Sequence, residues 1–124
     1  MPVYKILLAD DEIALRFLLT ETLSDEGYAI SEVEDGQQAM EQLQKETYDL
    51  IILDYMMPER TGVEVCDWLR HSDNANRDIP VILLTAKALD KDKEKAKAAG
   101  VTTYIVKPFS PLQLIDTVGQ LLQR

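Results

Sequence analysis

The chain has a single cysteine and a single histidine in 124 residues. Alone, Cys66 cannot close an internal disulfide, and without a Cys/His cluster there is no zinc site, which fits a reducing cytoplasmic setting. With His71 as the only histidine, no histidine-based catalysis suggests itself. Long apolar runs are missing as well. Met1–Lys5 leads into four apolar residues before Asp10, Asp11 and Glu12, a stretch too short and too acidic for a signal peptide or a membrane span. Positive charge is scarce, with 13 Lys and Arg against 22 Asp and Glu. Such a surface repels a phosphate backbone, which argues against direct nucleic-acid binding by this domain and for a cation or a basic partner surface. The expectation is a soluble, intracellular protein with no membrane contact.

What is present is an alternation. Ile6–Ala9, Leu50–Leu53 and Val81–Leu84 are unbroken apolar runs, the habit of strands buried on both faces of a parallel sheet. Tyr28–Val33 is polar enough for an edge strand, and Thr103–Val106 makes a fifth. Between them lie helical patterns. Leu15, Leu18, Leu19 and Leu23 form the core stripe of a first helix that closes at Gly27. Asp35-Gly36 opens a second, with Ala39, Met40 and Leu43 inward. A third runs from the loop Glu59–Gly62 to about Ser72 with Val65, Cys66 and Leu69 inward, so Cys66 reads as a core side chain. Asp73–Asp78 is a polar connector. The fourth helix, Asp90–Ala99, is nearly all charge and alanine, anchored by Leu89, Ala96 and Ala99, and should be the least firmly packed. Gly100 ends it. The fifth starts at Ser110 as N-cap, with Pro111 first in the helix and Gln113 completing a capping box; its stripe is Leu114, Ile115, Val118, Leu121 and Leu122. Five strand–helix units predict one α/β domain over residues 1–124, a doubly wound parallel sheet with right-handed crossovers.

Four of these strands finish on polar residues: Asp10 with Asp11, then Asp54, Thr85 and Lys107. A parallel sheet brings those ends to one edge, the place where ligands of open α/β sheets bind. Carboxylates crowded together raise one another's pKa unless something positive sits among them, and Lys107 alone cannot balance three. A hard divalent cation can, and Mg²⁺ favours carboxylates, waters and phosphate oxygens. The pattern therefore points to a metal plus a phosphoryl group. Asp54, ending the central strand, is the candidate nucleophile, and Asp10 and Asp11 are suited to the metal or its waters. Lys107 and the Thr85 hydroxyl would neutralise or hydrogen-bond the transferring oxygens.

Read together, Asp10-Asp11, Asp54 followed by Met57-Pro58 and Gly62, Thr85-Ala86, Tyr104 and Lys107-Pro108-Phe109 resemble the receiver domain of bacterial two-component response regulators over the whole chain. The resemblance implies a flavodoxin-like sheet of order 2-1-3-4-5. It also implies a phosphorylation-activated switch rather than a turnover enzyme, one that promotes its own phosphotransfer and dephosphorylation. Asp54 would accept phosphate from a sensor histidine kinase or histidine phosphotransfer protein. Asp11 and Asp54 would hold Mg²⁺ directly, or Mn²⁺ in its place, with Asp10 acting through water and the Met56 backbone carbonyl as a further ligand. Thr85, Ala86, Lys107 and Tyr104 would form the phosphoryl-binding and switch set, with a cis bond between Lys107 and Pro108. Thr85 would move toward the phosphate and the Tyr104 ring would turn inward. The surface of the fourth helix, fifth strand and fifth helix would then rearrange to control an output domain or partner. Met56 and Lys87 would bear on phosphate lifetime. Ile13 and Phe17, on the far side of the first helix, are a candidate kinase-docking face.

Other aspartyl-phosphate or same-architecture readings fit less well. A haloacid-dehalogenase-type phosphatase needs a second acid two residues after the nucleophile, where this chain has Met56. A flavodoxin or dinucleotide-binding protein needs a Gly-rich or Ser/Thr-rich loop after the first strand, where this chain has acids. The alternative that remains is an interaction module of the same fold that switches without phosphate.

Overall fold

The structure is a computed structural model that describes residues 3–86 and 90–122. Lys87, expected to affect phosphate lifetime, and Leu89, expected to anchor the fourth helix, lie outside the described residues. The elements alternate along the chain as β1 (Lys5–Ala9), α1 (Ile13–Asp25), β2 (Ala29–Val33), α2 (Gly36–Lys45), β3 (Leu50–Asp54), α3 (Gly62–His71), β4 (Val81–Thr85), α4 (Asp90–Ala99), β5 (Thr103–Val106) and α5 (Pro111–Leu121). All four strand pairings are parallel, in the order β2-β1-β3-β4-β5.

The apolar runs become the middle of the sheet because only strands covered on both faces can bury every residue. β3 and β4 are buried along their full length. Alternate side chains then divide into two cores. Leu7, Ala9, Ile51, Leu53, Val81 and Leu83 pack with Ala39, Leu43, Val65, Cys66, Leu69 and Ala96 of α2, α3 and α4. Ile6, Leu8, Leu50, Ile52, Ile82 and Leu84 pack with Leu19, Leu23, Leu114 and Val118 of α1 and α5. Each fully buried Leu or Ile contributes about 1.5–3 kcal/mol, so the sheet's position is set chiefly by these two layers.

Helix ends follow local chemistry. Asp35 accepts from the Gln38 N–H at the start of α2. α1 ends in a Schellman motif, with Gly27 at φ 93° donating to Ser24 O and the Tyr28 N–H to Leu23 O. Gly100, at φ 91°, closes α4 the same way through Lys97 O, and the Val101 N–H reaches Ala96 O.

Two expectations need correction. Leu18 is not in the core: it is 51% exposed, while Leu15 packs partly and Leu19 and Leu23 fully. The first turns of α1, Ile13–Leu19, are apolar except at Arg16, so spacing alone selects no single face there. The full capping box belongs to α3, where Thr61 accepts from the Glu64 N–H and Glu64 accepts from the Thr61 N–H. At α5, Ser110 accepts from the Gln113 N–H and Pro111 follows, which makes half of that box. The Asp73–Asp78 connector is polar as expected, and within it Asn76 is 1% exposed. Its side chain accepts from the Tyr48 N–H at 2.7 Å and donates to Leu43 O and Glu46 O at 2.9 and 2.8 Å. That amide ties the connector to the turn before β3.

Candidate functional site at the carboxyl edge of the sheet

Asp10, Asp54, Thr85 and Lys107 stand at the last rung of the sheet or one step beyond it. The Asp10 N–H donates to Val33 O at 3.2 Å, the Tyr55 N–H to Leu84 O at 2.8 Å and the Lys107 N–H to Thr85 O at 2.8 Å. The register sets Asp54 beside Leu84 and Thr85 beside Val106. Gly62 lets α3 start directly against the acceptor strand, since a Cβ there would lie 2.5 Å from the Asp54 carbonyl oxygen. On the other side, Arg16 donates from Nη1 to Asp10 O at 2.6 Å and pairs with Glu32, pinning the turn that carries the acids.

Lys107 Nζ donates to Asp54 Oδ1 at 3.1 Å and lies 3.8 Å from Glu12 Oε1. Carboxylate oxygens of Asp10, Glu12 and Asp54 all fall within 4.8 Å of one another. Asp11 is exposed and stands outside that trio, but it lines the same crevice of about 570 Å³ with Tyr55, Met56, Thr85, Ala86 and Asp92. Glu12 and Asp92 were not expected there. Glu12 was legible only as the third of three consecutive acids, and Asp92 carried no signal within a helix of alternating charge. Glu12 occupies the N-cap position of α1 yet caps nothing with its side chain.

The electrostatics follow from burial. Asp10 is fully buried, which pushes its carboxyl up to about 6 against the lowering effect of the Glu12 N–H; neighbouring Asp54 adds to the rise. Burial likewise raises Asp54, while the Lys107 hydrogen bond and charge hold it down. Asp10 Oδ2 has no hydrogen-bond partner among the described residues. A buried, unpartnered carboxylate oxygen in an all-oxygen trio is a donor set that suits a hard divalent cation.

Thr85 is buried and Tyr104 half-buried, and both line a cavity of about 10 Å³ with Tyr55, Leu83, Asp92, Lys93 and Ala96. That space holds at most one water, so an aromatic ring can enter only if a neighbour gives way. Lys93 Nζ sits 5.6 Å from the Tyr104 ring centroid. The Lys107–Pro108 bond is cis. Cys66 is buried, donates to Ala99 O at 3.3 Å, and has its thiol pushed up to about 11 by burial, as befits a core residue. Ile13 and Phe17 are 75% and 65% exposed.

The response regulator receiver domain profile matches residues 6–119. The chain belongs to the response regulator receiver family. This receiver domain is 43% identical over 120 residues to the transcriptional regulatory protein ResD of Bacillus subtilis (strain 168), covering 97% of the chain and 48% of that protein. It is 38% identical to the phosphate regulon transcriptional regulatory protein PhoB of Rhizobium meliloti (strain 1021), covering 97% of the chain and 52% of that protein. The chain thus spans about half the length of these regulators. Among solved structures, the chemotaxis response regulator CheY4 of Vibrio cholerae superposes with a TM-score of 0.91 at 34% identity, over 97% of this chain and 99% of that one. The receiver domain of sensor histidine kinase PA1611 from Pseudomonas aeruginosa PAO1 gives 0.89 at 30% identity, over 99% and 100%, in a structure with magnesium coordinated in its active site cleft. No helix among the described residues is long and apolar enough to cross a membrane.

Proposed function

We propose that this receiver domain acts in the cytoplasm, takes a phosphoryl group onto Asp54 from a sensor histidine kinase or histidine phosphotransfer protein, and relays the event to an output domain or partner. The reading is carried by one observation: a buried acid at the end of the central strand, paired with Lys107 at 3.1 Å and crowded by Asp10 and Glu12. An Asp54 carboxylate oxygen attacks phosphorus, and the bond from phosphorus to the donor's nitrogen breaks with its electron pair leaving on that nitrogen. Lys107, through its hydrogen bond and charge, opposes the rise that burial causes at Asp54 and so favours the ionised form that attacks. Its ammonium then exchanges the carboxylate for a transferring oxygen.

Mg²⁺, or Mn²⁺ in its place, would be held by Asp10, Asp54, the Met56 carbonyl and Asp11, with Glu12 near enough to join. When bound, it supplies charge neutralisation at the transferring oxygens. The Thr85 hydroxyl and Ala86, both lining the crevice, would bind the phosphoryl group. Tyr104, across the small cavity from Thr85, would report its arrival to α4 and β5. Met56, 69% exposed at the rim, is placed to govern access of water and hence phosphate lifetime. Ile13 and Phe17 are exposed on one side of α1, and on the other Leu18 lines an apolar groove of about 250 Å³ between α1 and α5; α1 is the docking face for the donor in this reading.

Incubation with Mg²⁺ and acetyl phosphate tests the reading by intact mass. The expected result is one labile phosphoryl added to wild type and none to Asp54→Asn. No gain in wild type, or a gain that survives Asp54→Asn, would favour a module that switches without phosphate.

A further inference from the structure

Gly36 is the first residue of α2, far from the acids in sequence, and its backbone does not demand glycine: the positive-φ glycines among the described residues are Gly27 and Gly100. Space demands it instead. A Cβ on Gly36 would lie 2.4 Å from Arg60 O and 2.5 Å from Arg60 Cβ. The nearer obstacle is backbone, which cannot swing aside as a flexible side chain can. Gly119 makes the contrast, because a Cβ there would meet nothing within 4 Å.

Arg60 belongs to the loop that leaves Asp54 and carries Met56. The loop is closed on itself by the Arg60 N–H donating to Pro58 O at 2.8 Å and the Gly62 N–H donating to Tyr55 O at 2.9 Å. Glu59 turns through φ 71°, a conformation that non-glycine residues adopt only where surroundings enforce it. From outside, the brace is α2: the Gly36 N–H points to Pro58 O at 3.4 Å, and the helix is itself fixed by the Asp35 cap and by buried Ala39 and Leu43.

We propose that Gly36 is a positioning residue for metal capture and phosphoryl uptake, its bare backbone setting the height of the 55–61 loop, and with it the Met56 carbonyl, over Asp54. The inference rests on the metal reading above. Residues that orient a metal's ligands typically change affinity about 10- to 100-fold when altered, and a displaced loop acts in the same way. A merely structural glycine would lower the melting temperature and leave affinity alone.

The test is Mg²⁺ titration of the intact chain by amide chemical shifts, beside acetyl phosphate uptake rates over a Mg²⁺ series and thermal melts. Gly36→Ala is expected to fold, to bind Mg²⁺ about 10-fold or more weakly, and to recover a near wild-type maximal rate at saturating Mg²⁺. Gly119→Ala should match wild type in Mg²⁺ affinity. A folded Gly36→Ala that binds Mg²⁺ within about twofold of wild type would overturn the proposal, since outer-sphere effects exceed that. If Gly36→Ala does not fold, Arg60→Gly decides, because it removes the braced Cβ without a clash: weakened Mg²⁺ binding supports the proposal and unchanged binding overturns it. Wild type that binds no Mg²⁺ would instead sink the metal reading itself, which keeps the two failures apart.

Discussion

Asp10→Asn should make the metal-free protein more stable at neutral pH, although it removes a residue of the proposed metal site. Asp10 is fully buried, and its carboxyl is pushed from 3.8 to about 6, with burial the largest cause. Between those values the folded chain holds a proton that the unfolded chain has released, so raising pH across that window costs stability. The cost is absent below pH 3.8 and complete above about 6. At about 1.4 kcal/mol per tenfold change in proton affinity, it amounts to roughly 3 kcal/mol at pH 7.5. Asparagine keeps an oxygen for the Glu12 N–H, now 2.9 Å from Asp10 Oδ1, and turns an amide toward the neighbouring carboxylates. Imperfect amide geometry returns part of the gain, leaving about 1–3 kcal/mol and a melting rise of several degrees.

The assay is urea unfolding of both proteins in EDTA from pH 4 to 7.5, repeated with Mg²⁺. The variant's advantage should grow from pH 4 to about 6 and then level off. Mg²⁺ at 100 times its dissociation constant adds about 2.7 kcal/mol to wild type, which should close or reverse the gap. A variant no more stable than wild type at pH 7.5 without metal, or an advantage independent of pH, would refute the reasoning.

Other outcomes follow from single contacts. Asn76→Ala strands the Tyr48 N–H and the Glu46 carbonyl and leaves Leu43 O to Asn74 alone, and urea unfolding should lose about 2–4 kcal/mol, with little loss of phosphoryl uptake at Asp54 in the folded fraction. Lys107→Ala removes the ammonium 3.1 Å from Asp54, so acetyl phosphate uptake should fall at least about 100-fold, in the range of other preorganised electrostatic groups, and its pH profile should shift upward. Lys93→Ala removes the charge 5.6 Å from the Tyr104 ring; the described ring position should weaken by about 0.5–1 kcal/mol, read as a shift in its aromatic NMR signals.

How much of this was legible follows from where periodicity breaks. β3 and β4 could be read nearly to the residue, because an unbroken apolar run has few other homes in a chain this short, and a polar residue at its end must stand at the sheet edge. The convergence of Asp10, Asp54, Thr85 and Lys107 follows from parallel strands alone. The strand order does not: alternation allows several orders, and 2-1-3-4-5 came from family resemblance. Leu18 was misjudged because a helix apolar on most sides gives no preferred face. Asn76 and Gly36 were hidden for another reason. Their importance lies in a carbonyl or a backbone oxygen contributed by residues far along the chain, and no local pattern encodes that.

The three consecutive acids after β1 mark the sharper limit. Sequence treats Asp10, Asp11 and Glu12 as near equivalents, but leaving a strand turns successive side chains different ways. Asp10 goes into the core and keeps an oxygen with no partner among the described residues, Asp11 stays in solvent at the rim, and Glu12 gives up a helix cap to reach Lys107. Together, Asp10, Glu12 and Asp54 carry two more negative charges than Lys107 can cancel when all are ionised, the deficit that one divalent cation would fill. Burial first, and neighbouring carboxylates second, raise Asp10 and Asp54, and one Asp10 oxygen has no partner among the described residues: the pocket holds ionised acids poorly until something enters it. The instability forecast for the metal-free state is chiefly that burial of charge expressed as free energy, with the neighbouring acids adding to it. A receiver that took up phosphate yet showed no excess stability in Asp10→Asn would separate the two, and would mean that the charge deficit is already met within the chain.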